Sequence, residues 1–351
     1  MVFPEKNRLK KLSSSLEVTC KMNSLESIKL SIVVTSYTME RFKDICDLFD
    51  SIKAQRFTDK APTISQSTIE TIFVAERSRE LYDRVKEYGE KIDLKNFKMI
   101  FSTEILYLSG ARDLGAREAK GGIIAFVDDD SVLFPEWTEE MLKSYRDESV
   151  IGVSGTALPL WQDKKLDWLP KNYYWLISCT DWTGWNEVTE ARSLWGMNMS
   201  VRREAFDKAG SFLSSLGYHQ PMAEDLEFSL RVKRKTGKTL LFNPKAKVWH
   251  KVYAYRVSLR FVASRAHHIG VSRRILSMTR LKEQASFHLE RGVVNSIFRI
   301  LCSFPLDLFK SPVIACKKFV MTSTIVIFAV IGFLFPGKGI RVAKEIKNAL
   351  K

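Results

Sequence analysis

The chain predicts an α/β fold with a mostly parallel central sheet, because short β-branched runs alternate with amphipathic helical stretches through its first half. A second observation is the apolar run IIAFV, which leads directly into Asp128, Asp129 and Asp130 and so sets carboxylates at the C-terminal end of a buried strand. A third is the gathering of positive charge and apolar runs in the last third, which predicts amphipathic and transmembrane helices appended to that fold.

The elements follow in order. Leu30 to Val34 reads as a strand that breaks at Thr35-Ser36-Tyr37, and Met39 to Gln55 as the helix after it. Ile69 to Ala75 is the second strand, Ser78 to Ile92 the second helix and Phe97 to Ser102 the third strand. Ala111 to Lys120 is a helix stopped by Gly121-Gly122, and Ile123 to Val127 is the strand that carries the aspartates. In open α/β sheets ligands bind at the carboxyl ends of strands, so this cluster is placed for chemistry rather than for a solvated turn.

From Trp161 to Trp195 the chain is irregular and aromatic, with Trp168, Tyr173, Tyr174, Trp175, Trp182 and Trp185, a pattern that suits a binding wall or plain core. Glu224 and Asp225 head an amphipathic helix, where the helix dipole favours carboxylates, so capping alone accounts for their position. Strands at Thr239 to Phe242 and near Val248 lead to His250, either a ligand or a structural histidine. Arg256 to Lys282 reads as a basic amphipathic helix. Val293 to Phe309, interrupted by Arg299, Pro305 and Asp307, is expected to lie in a membrane interface. The charge-free run Phe319 to Phe335, bracketed by Lys317, Lys318, Lys338 and Arg341, is at the lower limit for a span. The expected units are a flexible tail (1–27), the α/β domain (28–255), basic interface helices (256–310) and a membrane-inserted helix with a basic tail (311–351).

The net charge of +15 is confined to one end: Met1 to Leu230 holds 30 Lys and Arg against 36 Asp and Glu, Arg231 to Lys351 holds 25 against 4. With apolar runs beside it and no nucleic-acid motif, that charge points to an anionic membrane surface and not to nucleic acid. Five scattered cysteines without a CxxC pair suggest neither a disulfide framework nor a structural zinc, and fit a reducing compartment. The N-terminus is charged but has no apolar core of a secretory signal, so a cell-membrane protein with its catalytic domain on the cytoplasmic face is expected.

The order SIVVTSY, IFVAERS, SGARDLGAREAKGGIIAFVDDD, WGMNMSVRREAFDKAG and AEDLEFSLRVKRKTG resembles the family 2 glycosyltransferases, over roughly Lys29 to His250. The resemblance implies a GT-A fold and an inverting, metal-dependent transfer from a nucleotide-sugar donor. It implies that Thr35, Ser36 and Tyr37 line the nucleotide pocket and that Glu76 stands where the family usually has an Asp at the base. Arg112 would approach the nucleotide, Asp128 and Asp129 would meet the donor and Asp130 would hold Mn²⁺ or Mg²⁺, with His250 as a further ligand. Asp113 stands where an Asn is common. Asp225 would be the base with Glu224 supporting it, and Trp195, Gly196, Met197 and Asn198 would form the acceptor side.

Chemistry agrees, since a nucleoside diphosphate leaves poorly unless a hard cation stabilises its charge, and two carboxylates plus phosphates hold such an ion. Among these enzymes the arrangement looks most like those acting on dolichyl or undecaprenyl carriers, with Arg256, Arg260 and Arg265 at the lipid headgroup. A polysaccharide or glycolipid acceptor and a non-catalytic sugar-nucleotide-binding membrane protein are the alternatives.

Overall fold

The computed structural model describes residues 28–58, 64–163, 168–213, 224–279, 288–337 and 339–349; the expected N-terminal tail, Arg280 and Lys338 lie outside them. Among the described residues nine strands form one sheet: β1 (Leu30–Ser36), β2 (Ile69–Glu76), β3 (Phe97–Ser102), β4 (Ile123–Val127), β5 (Ser131–Leu133), β6 (Val150–Trp161), β7 (Thr189–Glu190), β8 (Asn198–Arg202) and β9 (Thr239–Val252). Their order is β3-β2-β1-β4-β8-β6-β9-β5, with β7 paired to β9. The described helices are α1 (Phe42–Lys53), α2 (Arg79–Lys91), α3 (Tyr107–Glu118), α4 (Trp137–Lys143), α5 (Glu204–Ala209), α6 (Glu224–Thr236), α7 (Leu259–Ser277), α8 (His288–Lys310), α9 (Pro312–Leu334) and α10 (Gly339–Ala349).

The expected parallel sheet is the half β3-β2-β1-β4, whose strands are linked by α1, α2 and α3. Such strands are covered on both faces: β4 is apolar throughout, while β1 and β2 also bury Ser31 and Glu70, where the Ser31 hydroxyl donates to Glu70 Oε2 at 2.6 Å. The other half is mixed: β8 runs antiparallel to β4 and β6, whereas β6 and β9 are parallel. The two strands expected between Thr239 and Val248 are one continuous strand, β9. Its pairing with β6 shifts register between Gly155 and Ala157. A Cβ on Gly155 would lie 1.8 Å from the carbonyl oxygen of Ala246, so only glycine lets the two backbones meet there.

Helix α3 begins at Tyr107, earlier than the sequence suggests, and lies close on the sheet because Gly115 leaves room for Val33, whose Cγ1 is 2.4 Å from where a Cβ would sit. That approach brings Arg112 to the carboxyl edge of β4. The core fills both faces of the sheet: Phe49, Phe73 and Trp137 lie on one face, Phe126, Phe228 and Phe242 on the other.

The C-terminal helices dock on the domain rather than hang from it. Residues Met321 and Ile325 of α9 pack with Tyr173, Leu176 and Val262, and Thr322 Oγ1 is 2.9 Å from the Tyr173 hydroxyl. Gly270 of α7 meets the backbone of Ala329, and Gly332 meets that of His267. The segment Val293 to Phe309 lies within α8, which is continuous through Pro305. Gly292–Lys310 and Pro312–Leu334 are both long and apolar enough to cross a membrane, and they leave Phe298, Leu306, Phe309, Ile327 and Leu334 exposed. Shorter α10 turns Ala343 and Ile346 onto Leu230, Ile275 and Leu276.

Candidate active site

The aspartates leave β4 where the chain turns into β5, and β5 pairs with the end of β9 so that Ser131 faces His250. This pairing brings an imidazole from far along the chain onto the acidic cluster. His250 Nε2 lies 3.2 Å from Asp130 Oδ1 and 3.8 Å from Asp128 Oδ2. Asp128, Asp130 and His250 each offer a ligand atom, all within 4.8 Å of one another.

Both ring nitrogens of the fully buried His250 lack a hydrogen bond of good geometry, and an orphaned buried imidazole between two carboxylates fits a divalent cation. Without one, protonation does the same work. Burial pulls the His250 pKa down, but Asp130 and Asp128 overcome it and raise it well above the ordinary value. Burial likewise pushes the Asp130 carboxyl up, and His250, Arg256 and Arg41 hold it well below the usual range. Two guanidiniums share Asp130 Oδ2: Arg256 Nη2 at 2.7 Å and Arg41 Nη1 at 3.2 Å. Burial with Asp130 beside it pushes Asp129 up to about 7, against the pull of Ser36 and Arg41.

Arg112 joins the two acidic groups of the site. Its Nη2 donates to Asp128 Oδ1 at 3.1 Å and to the Gly196 carbonyl at 3.0 Å, and its Nη1 lies 3.3 Å from Glu224 Oε1. Gly196 is needed here, since a Cβ would lie 2.9 Å from Arg112 Nη1. The Gly196 N–H donates to Asp225 Oδ2 at 2.9 Å, so one loop residue fixes both the arginine and the carboxylate. Glu224 is buried and Asp225 half-buried at the start of α6. Burial and the neighbouring Asp225 push Glu224 up to about 7 against the pull of Arg112.

Arg112, Asp128, Glu224 and Asp225 open into a cavity of about 830 Å³, whereas the buried Asp130 and His250 lie off its lining. Tyr37, Arg112, Asp128, Glu224 and Asp225 stand at its polar end, with Trp195, Gly196 and Met197 beside them. Trp175 and Trp182 line its wall, while Tyr173 and Tyr174 are core and Trp185 packs on Trp195 and Phe242, so the aromatic stretch serves both purposes. Other expected residues lie off the cavity. Asn198 is fully buried, accepting from Trp137 Nε1 at 2.8 Å and donating to the Ala246 carbonyl at 2.9 Å. Thr35 and Ser36 end β1, and Ser36 is buried. Glu76 ends β2, where it accepts from the N–H groups of Leu106 and Tyr107, and burial raises its pKa. Its neighbours Arg77 and Tyr107 hold positive φ, 60° and 53°, backbone strain of the kind that gathers at binding sites. Arg260 is exposed outside the cavity; Arg265 and Arg273 of the same helix line it. Arg41 carried no signal in the sequence, because only the fold brings the start of α1 to Asp130.

A mostly parallel sheet with an acidic cluster and an arginine at its carboxyl edge defines the GT-A glycosyltransferase class. The mannosyltransferase PcManGT from Pyrobaculum calidifontis, solved with GDP-Man and Mn²⁺, superposes with a TM-score of 0.60 at 14% identity, covering 88% of this chain and 87% of that one. GalNAc-T7, solved with UDP, GalNAc and Mn²⁺, gives 0.50 at 14% identity over 77% of this chain and 54% of its own. The chain belongs to glycosyl transferase family 2, whose profile matches residues 31–209, and it is a glycosyltransferase. It is 27% identical over 264 residues to the glucosyl-dolichyl phosphate glucuronosyltransferase of Haloferax volcanii, 74% of this chain and 80% of that protein.

Proposed function

We propose that the enzyme moves a sugar from a nucleotide-sugar donor, with inversion, to a hydroxyl of a saccharide carried on a dolichyl or polyprenyl phosphate at the membrane. The observation that carries this reading is the placement of Asp225. Its carboxylate is pinned by the Gly196 N–H between the Arg112–Asp128 pair and a cavity that runs to the apolar faces of α8 and α9. The Haloferax relative, named for a glucosyl-dolichyl phosphate acceptor, supports it.

Asp128, Asp130 and His250 would hold Mn²⁺ or Mg²⁺, which supplies charge neutralisation for the departing diphosphate. Arg112 then steadies the donor side while Asp225 receives the proton of the attacking hydroxyl. The new bond forms between acceptor oxygen and anomeric carbon as the bond to the diphosphate breaks. A half-buried carboxylate suits a base that must meet its acceptor, whereas buried Glu224 holds Arg112. The domain would face the cytoplasm; the four cysteines among the described residues are unpaired, in keeping with a reducing side.

A second reading, transfer to a bare lipid phosphate, is favoured by Arg265 and Arg273 in the same cavity. Nucleoside diphosphate release, measured on detergent-solubilised enzyme with metal and a donor panel, separates the two. Stimulation by a glycosylated lipid phosphate, lost in Asp225→Asn, is expected. Turnover with a bare polyprenyl phosphate that survives Asp225→Asn would establish the second reading, and turnover indifferent to any lipid would overturn both.

A further inference from the structure

We propose that the cavity is an acceptor channel in which Arg265 binds the lipid phosphate, Arg273 flanks it, and the hydrocarbon leaves between α8 and α9 past Ile297 and Ala329. This rests on the lipid-linked reading above and adds the residues that would select such a substrate. Face spacing on α7 is the first argument. Phe261, Arg265, Ile269 and Arg273 recur every fourth residue, so one stripe of the helix presents alternating apolar and cationic groups to the cavity.

Arg265 also differs from the other arginines of the site. Arg112 is engaged by Asp128 and Glu224, and Arg256 by Asp130. Among the described residues Arg265 has no ion pair: its Nη2 reaches Ser178 Oγ at 3.4 Å, and its Nε is buried with no hydrogen-bond partner. Burial and the nearby Arg256 pull its pKa down more than the carboxylates of Glu224, Asp225 and Asp128 raise it. A guanidinium kept in that condition is costly unless a ligand completes it, and its fork matches phosphate oxygens.

The lining passes from Arg273 to Val293, Val294 and Ile297 of α8 and to Ile325 and Ala329 of α9, an apolar wall contiguous with the exposed apolar faces of both helices. A free phosphate or the donor diphosphate has no use for that wall, whereas a prenyl chain does.

The test is a titration of the full-length enzyme in detergent, followed by tryptophan fluorescence, to which Trp175 and Trp182 contribute from the cavity wall, with farnesyl phosphate, farnesol, inorganic phosphate and a nucleoside diphosphate with Mn²⁺. Farnesyl phosphate is expected to bind at least about tenfold tighter than farnesol or phosphate. Arg265→Gln should weaken it about tenfold or more while nucleoside diphosphate binding stays within about twofold, and Arg265→Lys should retain part of the affinity. Ile297→Gln should weaken farnesyl phosphate and leave phosphate unchanged. Loss of nucleoside diphosphate binding in Arg265→Gln, with farnesyl phosphate unaffected, would assign Arg265 to the donor and overturn the channel. Phosphate binding as tight as farnesyl phosphate would overturn the tail path. The titration needs no turnover, so an enzyme that binds farnesyl phosphate through Arg265 yet glycosylates no lipid keeps the channel and refutes the proposed reaction.

Discussion

Arg256 Nη2 sits 2.7 Å from Asp130 Oδ2, on the carboxylate that would ligate the metal. Arg41 shares the same oxygen at 3.2 Å, so a cation entering the site must compete with two guanidiniums already there. On the proposed mechanism each arginine would then be released to face the diphosphate, which would couple metal entry to donor binding.

Removing one competitor should therefore help the metal and hurt the reaction. Arg256→Ala is expected to tighten Mn²⁺ binding without nucleotide by roughly tenfold, the equivalent of one charge-assisted hydrogen bond, while turnover falls. Calorimetric titration with Mn²⁺ alone checks it; unchanged or weaker metal affinity would show that Asp130 is not the contested ligand.

The neighbouring carboxylates should respond differently to amide replacement. Glu224, pushed up to about 7, spends much of its time neutral near that pH, and Glu224→Gln resembles its neutral form. Asp225 lines the cavity and on the proposed mechanism receives the proton. Asp225→Asn should cost about 100- to 10,000-fold in kcat, the range of a lost general base, and Glu224→Gln about tenfold or less. Equal losses in the two variants would remove the distinction between base and support.

Asp113 carries a stability prediction. It is buried, accepts from the Phe212 N–H at 3.0 Å, and burial pushes it up to about 6 from 3.8. A carboxyl raised on folding favours the native state fully below its unfolded value and loses that contribution as pH rises through about 6. Asn does not titrate and retains an acceptor oxygen for Phe212. Asp113→Asn should thus match wild type near pH 4 and exceed it by about 2 to 3 kcal/mol at pH 8, read from denaturant midpoints across pH. A constant difference at every pH would mean that the charge is not the cause.

How much of this was legible depends on how local each signal is. Asp128 to Asp130 could be read because a five-residue apolar strand runs straight into them, and Glu224-Asp225 because they head an amphipathic helix. Arg112 came with its motif. Strands β6 and β8 were not legible: Gly152, Gly155 and Asn198 have weak strand propensity, and their partners supply the pairing. Asn243-Pro244 looks like the end of a strand, yet the register shift opposite Gly155 carries β9 through it. Arg41 and Arg256 reach Asp130 across long sequence separations, which no periodicity encodes. Arg260 and Arg265 are alike in sequence, and only the pitch of α7 turns the second into the cavity and leaves the first outside.

The union of α7 with α9 rests on two glycines, and this gives the last prediction. A Cβ on Gly332 would lie 1.9 Å from the His267 carbonyl oxygen, and one on Gly270 would lie 2.0 Å from that of Ala329. Both neighbours are backbone and cannot turn aside, so even alanine must push the helices apart. Gly332→Ala should destabilise by about 1 to 3 kcal/mol, the usual cost of overpacking, despite alanine's better helix propensity. Gly292→Ala in α8 is the control, since nothing lies within 4 Å of its Cβ position, and it should be neutral or stabilising by up to about 1 kcal/mol. Thermal unfolding in detergent reads both. If Gly332→Ala is as stable as Gly292→Ala, α9 does not dock on α7 as described. If it is destabilised, farnesyl phosphate binding should fall with it, because the wall that carries Ile325 and Ala329 moves away from Arg265.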